Sequence, residues 1–424
     1  MVQLTFHEKT FMKGSFTLFF YVKRKEGCME PLHILMLAWE YPPMMVGGLG
    51  RHVYELSRAL AHNGHYVHVV TVHEEHCTTY EKVHDVHVHR VSVDDREKYH
   101  FYEWIAQLNK SMFAYTQELC KCYTFDVIHA HDWLVAICAM ELQKQQHLSL
   151  VTTIHATERG RNGGIYTSLQ WQIHMHEKEL VKESNIVIVC SQFMKDEVVR
   201  DLEVNGEGVF VHPNGIDRHF FHAVTPSLEI TRRYNLAERL VIFSIGRIVN
   251  EKGFYTIIEA APQIIKLYPQ VIFIIAGQGP MLEQYRAVVQ GRGLQHSIFF
   301  LGHITEEEQR AFLQRCDVLL IPSLYEPFGI VALEGMLAKR PVLVSRVGGL
   351  QEIIIDGVNG FQMESGCSQN LSEKLIFIIE QREFAQCVAN KGYEDVLVHY
   401  SWGEIARATA HTYEKAVQHH KCGG

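Results

Sequence analysis

From residue 32 the chain alternates short apolar runs with stretches whose apolar residues recur at helical spacing. This is the pattern of strands buried in a parallel sheet and crossed by helices. His33-Ile34-Leu35-Met36-Leu37-Ala38 reads as a first buried strand. Val53, Leu56, Leu60 and Ala61 then mark a helix over 51–62, which Asn63-Gly64 stops. Further strands are predicted at 67–72, 86–91, 126–129, 150–154 and 185–190. The rhythm breaks around 213–232, at Pro213-Asn214-Gly215-Ile216-Asp217 and a Thr-Pro-Ser stretch. A second series opens beyond it, with strands predicted at 240–245, 271–276, 298–301, 318–321 and 341–345. An amphipathic stretch over 401–417 reads as a closing helix.

The fold class is therefore α/β, with two Rossmann-like domains at 31–213 and 214–398, a cleft between them, and a closing helix and tail at 399–424. Residues 1–30 read as an extension outside the fold, consistent with a misassigned start. Their most apolar piece, residues 15–22, is short and is followed by Lys23-Arg24-Lys25, the reverse of a signal peptide, and Met29 stands just before the first strand. No stretch reaches the ~18 apolar residues of a membrane span. With 47% hydrophobic and 21% charged residues the 424-residue chain has ample core, which excludes disorder or coiled coil as its main state. A net charge of −8 argues against nucleic acid as a partner. Ten cysteines at irregular spacing read as mostly buried, reduced thiols of a cytoplasmic chain, and Cys120 and Cys122 stand too close for a CxxC pair. The 27 histidines invite a metal reading, with His87 and His89 on one strand face and His174 and His176 similarly spaced. None shows a recognisable ligand spacing, so no metal is expected and the histidines read as surface residues.

In doubly wound sheets ligands sit beyond the carboxyl ends of the strands, so the chemistry is sought in the loops there. Glu326-Pro327-Phe328-Gly329-Ile330 follows the strand ending at residue 321. Pro327 holds Glu326 extended and suits a helix start immediately after it, with Glu334 two turns in, some 12 Å further along. The free amides at such a helix mouth favour a diphosphate, and the two carboxylates suit opposite ends of a nucleotide sugar. Taken alone, the pair reads equally as a capping acid and a solvated helix acid. Arg247 and Lys252 share the loop Gly246-Arg247-Ile248 to Asn250-Glu251-Lys252-Gly253, where a guanidinium and an ammonium suit a leaving diphosphate. In isolation they also read as surface charges solvating a turn. Gly47-Gly48-Leu49-Gly50 lets amides approach phosphate, or is a plain tight turn; it lacks the dinucleotide spacing. His129-Ala130-His131-Asp132-Trp133 and His155-Ala156-Thr157-Glu158 end two strands of the first series, and either offers groups for sugar hydroxyls, with Trp133 as a ring support, or structural hydrogen bonds.

Together these residues resemble the retaining glycosyltransferases of the GT-B fold, in particular glycosyltransferase family four (group one) and its glycogen and starch synthase relatives. The resemblance spans residues 31–418. It rests on Gly47-Gly48, His155, Asn214-Gly215-Ile216-Asp217, Gly246-Arg247, Glu251-Lys252-Gly253, Glu326 with Glu334, and Val347-Gly348-Gly349-Leu350. His129-Ala130-His131-Asp132-Trp133 and Tyr400-Ser401-Trp402 are similar to the glycogen synthase side of the group. It implies transfer of a hexosyl unit, with glucosyl favoured, from a nucleotide sugar such as ADP- or UDP-glucose to a glycan acceptor, with retained configuration and no cofactor or metal. Arg247 and Lys252 would bind the donor diphosphate, Glu326 the sugar hydroxyls, and Gly329 and Ile330 the phosphate. Glu334 would hold the ribose, Gly47 and Gly48 would close from the other domain, and His303 would lie beside the base. His155 and Asp132 would contact the donor sugar and line the acceptor side.

The chain departs from bacterial glycogen synthases in having Met44-Met45-Val46, not a lysine, before Gly47, and Ala156 after His155. Alternatives are a transferase building an envelope polysaccharide or glycolipid, with peripheral membrane contact through Lys23-Arg24-Lys25, a phosphorylase or epimerase, and a non-catalytic nucleotide-sugar-binding protein.

Overall fold

Segments such as Val271–Ala276, buried along their whole length, are stable as strands only when both sheet faces are covered. The chain meets that demand with two largely parallel sheets. The structure, a computed structural model, describes residues 30–45, 47–93, 100–221 and 227–422. Residues 32–424 form one compact unit. The expected extension lies outside the described residues, apart from Glu30.

The first sheet is built from β1 (His33–Leu37), α1 (Gly48–His62), β2 (Tyr66–Val72), β3 (Tyr80–Val83), β4 (Val86–Val91), α2 (Phe101–Cys122), β5 (Val127–His131) and α3 (Ala136–Gln146). It continues with β6 (Ser149–Ile154), α4 (Glu158–Asn162), α5 (Ser168–Glu183), β7 (Ile186–Val189), α6 (Gln192–Asp201) and β8 (Val209–Val211). The second series comprises α7 (Ser227–Arg233), β9 (Leu240–Ile245), α8 (Phe254–Leu267), β10 (Val271–Ala276), α9 (Leu282–Gly291), β11 (Ile298–Gly302) and α10 (Glu306–Arg315). It is completed by β12 (Val318–Ile321), α11 (Ile330–Leu337), β13 (Val342–Ser345), α12 (Leu350–Ile353), β14 (Phe361–Met363), α13 (Ser368–Glu380), α14 (Arg382–His399) and α15 (Trp402–Cys422).

The strand orders are β3-β4-β2-β1-β5-β6-β7-β8 and β11-β10-β9-β12-β13-β14. All pairs are parallel except β3 with β4. The periodicity did not mark β3, β8 and β14. β3 is an edge strand, Tyr-Glu-Lys-Val, with no apolar run, and the other two are three residues long. The last helix returns to the first sheet, where Tyr413 Oη meets His129 Nδ1 at 2.7 Å and Ser149 Oγ donates to the Ala416 carbonyl at 3.1 Å.

Two expectations need correction. The histidines are not all surface residues: His52, His65, His68, His89, His129, His131 and His174 are buried, while most of the other described histidines are exposed or half-exposed. The buried ones are kept neutral, as where His68 Nδ1 meets His89 Nε2 at 3.0 Å. Among the described cysteines Cys138, Cys190 and Cys316 are buried, but Cys122 and Cys387 are exposed; those described are free thiols. Among the described residues no helix is long and apolar enough to cross a membrane.

Candidate functional site

Each sheet has one place where strand order reverses, and there the helices after two adjacent strands leave to opposite faces and open a crevice. In the first sheet β1 lies between β2 and β5, so the crevice is bounded by the loops after β1 and β5. In the second, β9 lies between β10 and β12, which puts Arg247 and Lys252 beside the Glu326 loop. Strand order alone thus gathers segments some 75 residues apart.

Backbone contacts lock the second crevice. The Glu251 carbonyl accepts the Leu324 amide at 2.8 Å and the Tyr325 amide at 3.2 Å. Gly253 has φ +67, and a Cβ there would lie 2.0 Å from the Pro322 carbonyl oxygen, so a side chain would force the two loops apart. Lys252 Nζ therefore reaches Glu326 Oε2 at 2.7 Å, and Ser323 Oγ donates to the same oxygen at 3.1 Å. Arg247 is more exposed and pairs with Glu251 at 3.3 Å.

The helix after Glu326 does not begin directly after Pro327. Gly329, at φ +112, turns the chain first, and α11 opens at Ile330. Glu334 is therefore little more than one turn in, not two. It is also buried: it accepts from Gln309 Nε2 at 2.7 Å and faces Arg51 at 3.6 Å. Burial pushes its carboxyl up to about 7, with Arg51 and Gln309 holding it from rising further. His303 lies exposed in the turn from β11 to α10, at the sheet edge two strands from β9.

The first crevice has a different character. Gly47 is extended, gives its amide to Glu40 Oε2 at 3.0 Å, and precedes an α1 whose first turn carries neither an acidic residue nor a side-chain cap. The first turn of α11 likewise has no acid and no side-chain cap. The two helix mouths face each other: a Cβ on Gly48 would lie 3.6 Å from Ile330 Cδ1. The α11 mouth, free of acid and side-chain cap, beside Lys252 makes a setting for an anion, whereas the α1 mouth already has the buried Glu40 carboxylate on its Gly47 amide.

Asp132 and Trp133 prove less available than the sequence suggested. Trp133 is buried and stacks on Tyr102 and His176, so it supports the core and offers no face to a sugar. Asp132, also buried, accepts the His155 amide at 2.7 Å and lies 3.9 Å from Arg161. Burial raises its carboxyl to about 6, against the pull of Arg161 and of the backbone amides. Asp132 is thus placed to orient His155. His129 and His131 are part of strand β5, not of a loop, and His129 bonds Thr153 Oγ1 at 2.7 Å.

Several groups escaped the sequence reading. Arg51 bridges from α1 to Glu306 at 2.6 Å and to Glu334; its place just after Gly50 was the available signal. Tyr325 Oη donates to Glu197 at 2.8 Å, tying the Glu326 loop to α6, and Ser191 Oγ donates to the Pro327 carbonyl at 2.7 Å. His52, His131 and His155 bring ring nitrogens within 4.8 Å of one another. Burial lowers both His52 and His155 to about 3. Three neutral imidazoles could hold a borderline divalent ion, one ligand short of a closed tetrahedral site. Their positions in the chain gave no spacing to read.

The family model "Glycosyltransferase Family 4" matches residues 46–220, and "Glycosyl transferases group 1" matches residues 228–395. The glycogen synthase of Mycobacterium tuberculosis is 35% identical over 402 residues, covering 90% of this chain and 94% of that one. Among solved structures, a sucrose-phosphate synthase from Thermosynechococcus elongatus superposes with a TM-score of 0.78 at 23% identity, over 91% of this chain and 98% of that one. The catalytic domain of starch synthase IV from Arabidopsis thaliana, bound to ADP and acarbose, superposes with a TM-score of 0.75 at 18% identity, over 92% and 100%.

Proposed function

The chain belongs to glycosyltransferase family 4, and we propose that it moves a glucosyl unit from a nucleotide-glucose donor such as ADP- or UDP-glucose to an α-glucan acceptor, with retained configuration. The observation that carries this reading is the convergence of the α1 and α11 mouths on the Lys252–Glu326 pair, 2.7 Å apart. The glucan acceptor is favoured by the 35% identity to a glycogen synthase over nearly the whole of both chains.

The mechanism follows from where charge develops. As the glycosyl–phosphate bond lengthens, the sugar becomes cationic and the diphosphate gains negative charge. Lys252, Arg247 and the amides around Gly329 and Ile330 stabilise the diphosphate, and the Gly48 amide closes on it from the other side, the Gly47 amide being held by Glu40. Glu326, already oriented by Lys252 and Ser323, holds donor hydroxyls. His155, kept neutral by burial, hydrogen-bonds the sugar, while Asp132 positions it through the backbone. The departing phosphate oxygen assists deprotonation of the acceptor hydroxyl on the same face, which preserves the anomeric configuration. Because the chain supplies the cations, no divalent ion is needed in this scheme.

Nucleotide release from ADP-, UDP- and GDP-sugars, with and without maltooligosaccharide and with EDTA, tests the proposal. Glucan-dependent release, α-linked chain lengthening and rates within twofold in EDTA are expected. Release that ignores glucan, with transfer to a lipid or envelope acceptor, would overturn the acceptor assignment.

A further inference from the structure

Outside the crevice the first sheet carries a second concavity, a cavity of about 700 Å³ between α4, α5 and α6, whose lining includes Gly160, Trp171, His174, Lys178 and Glu197. That volume is within the range of roughly 300–1,000 Å³ common to small-molecule sites. Trp171 is 55% exposed on its wall, and Tyr166, 75% exposed, stands on the loop leading into α5. An exposed indole beside a polar cavity offers a flat apolar face with a polar N–H, which suits the C–H face of a pyranose ring.

The charges of the cavity are matched. Lys178 pairs with Glu203 at 2.6 Å, Arg200 with Asp201 at 2.8 Å, and Arg159 lies 3.6 Å from Asp201. Each cation already faces a carboxylate, so a phosphorylated acceptor would bring a second anion to an occupied partner. Neutral hydroxyls meet no such conflict, and the carboxylates that line the cavity, Glu197, Asp201 and Glu203, are suitable acceptors for them.

The cavity wall packs against the loop that carries Glu326. Gly160 backs directly on Tyr325: a Cβ there would lie 2.6 Å from Tyr325 Oη and 2.5 Å from Glu197 Oε1. Tyr325 immediately precedes Glu326, and α4, on the cavity wall, begins two residues beyond His155, after Ala156 and Thr157.

We propose that this cavity is an acceptor subsite for a neutral α-glucan, with Trp171 as the platform under a sugar ring some distance from the transferred unit. The proposal deepens the glucosyl-transfer reading and rests on it for the acceptor's chemical class. The test measures maltoheptaose binding to the full chain by calorimetry, and transfer to maltoheptaose or glucose 1-phosphate, for the wild type, Trp171→Ala and Trp171→Phe. In Trp171→Ala, maltoheptaose affinity should fall by at least about tenfold, as for a buried aromatic anchor. The acceptor KM should rise in step, the donor KM should stay within twofold, and Trp171→Phe should recover most of the loss. Unchanged affinity in a Trp171→Ala protein with wild-type melting overturns the subsite, as does preferential transfer to glucose 1-phosphate. The two readings fail separately. Glucan binding through Trp171 without nucleotide release would sink glucosyl transfer and leave the subsite standing; glucan elongation indifferent to Trp171 would do the reverse.

Discussion

The two crevices share one architecture and opposite electrostatics. At the β9/β12 reversal the working groups are charged and partly exposed: Arg247, Lys252 and Glu326. At the β1/β5 reversal the three histidines are held neutral, His52 and His131 buried and His155 half-buried, beside the Asp132 carboxyl, itself raised to about 6 and 3.9 Å from Arg161. The difference teaches how a cleft can divide one reaction. In the proposed reaction the charged side would meet the group that becomes anionic, while the histidine side would meet hydroxyls, for which ions would only add desolvation cost.

Three measurements can break or sharpen that contrast. The largest effect is expected from Lys252→Ala, which removes a preorganised cation and should lower turnover by about 10²–10³-fold. His155→Ala removes one neutral hydrogen-bonding group and should cost only about tenfold. Steady-state nucleotide release compares the two directly, and a reversed order would mean the neutral side carries the charge stabilisation.

The smallest effect concerns stability against pH. His52 and His155 have folded values near 3, below their ordinary 6.5. Their contribution is present above pH 6.5 and is lost as pH falls, by about 2 kcal/mol each between pH 6.5 and 5. Asp132 and Glu334 act in the opposite sense, since their raised values favour the fold at low pH and lose that contribution as pH rises through about 6 and 7. Burial also raises Glu55, Glu158, Glu177 and Glu197, but it lowers His65, His68, His87, His89, His129, His131, His174 and His212, so the histidines outnumber the acids. Thermal melting should therefore occur several degrees lower at pH 5 than at pH 7.5. A melting temperature that rises on acidification would show that these imidazoles are not buried neutral.

Much of the second crevice was legible because its chemistry is local in sequence. Gly246-Arg247, Glu251-Lys252-Gly253 and Glu326-Pro327-Phe328-Gly329 each sit in one loop after one apolar strand, so a strand pattern and a residue type suffice to find them. The start of α11 is not legible in sequence because Gly329, not Pro327, sets the turn, packed under Leu350 at the start of α12, about twenty residues later. On the first side the residue types were visible but their roles were not. Trp133 looked like a sugar platform until Tyr102 and His176 enclosed it, whereas Trp171, unremarked in the sequence, is exposed.

The sequence by itself determined the alternation of strand and helix, the break near residue 213, and the loops that bear the cations, because periodicity and turn chemistry are read over a few neighbours. Only the tertiary structure decided which loops meet, since strand order is a long-range choice. It set Arg51 against Glu334 and Tyr325 against Glu197, and it brought together three histidines from residues 52, 131 and 155, the first two buried. It also decided which groups are charged, because a residue's ionisation follows from the water and partners that folding leaves around it.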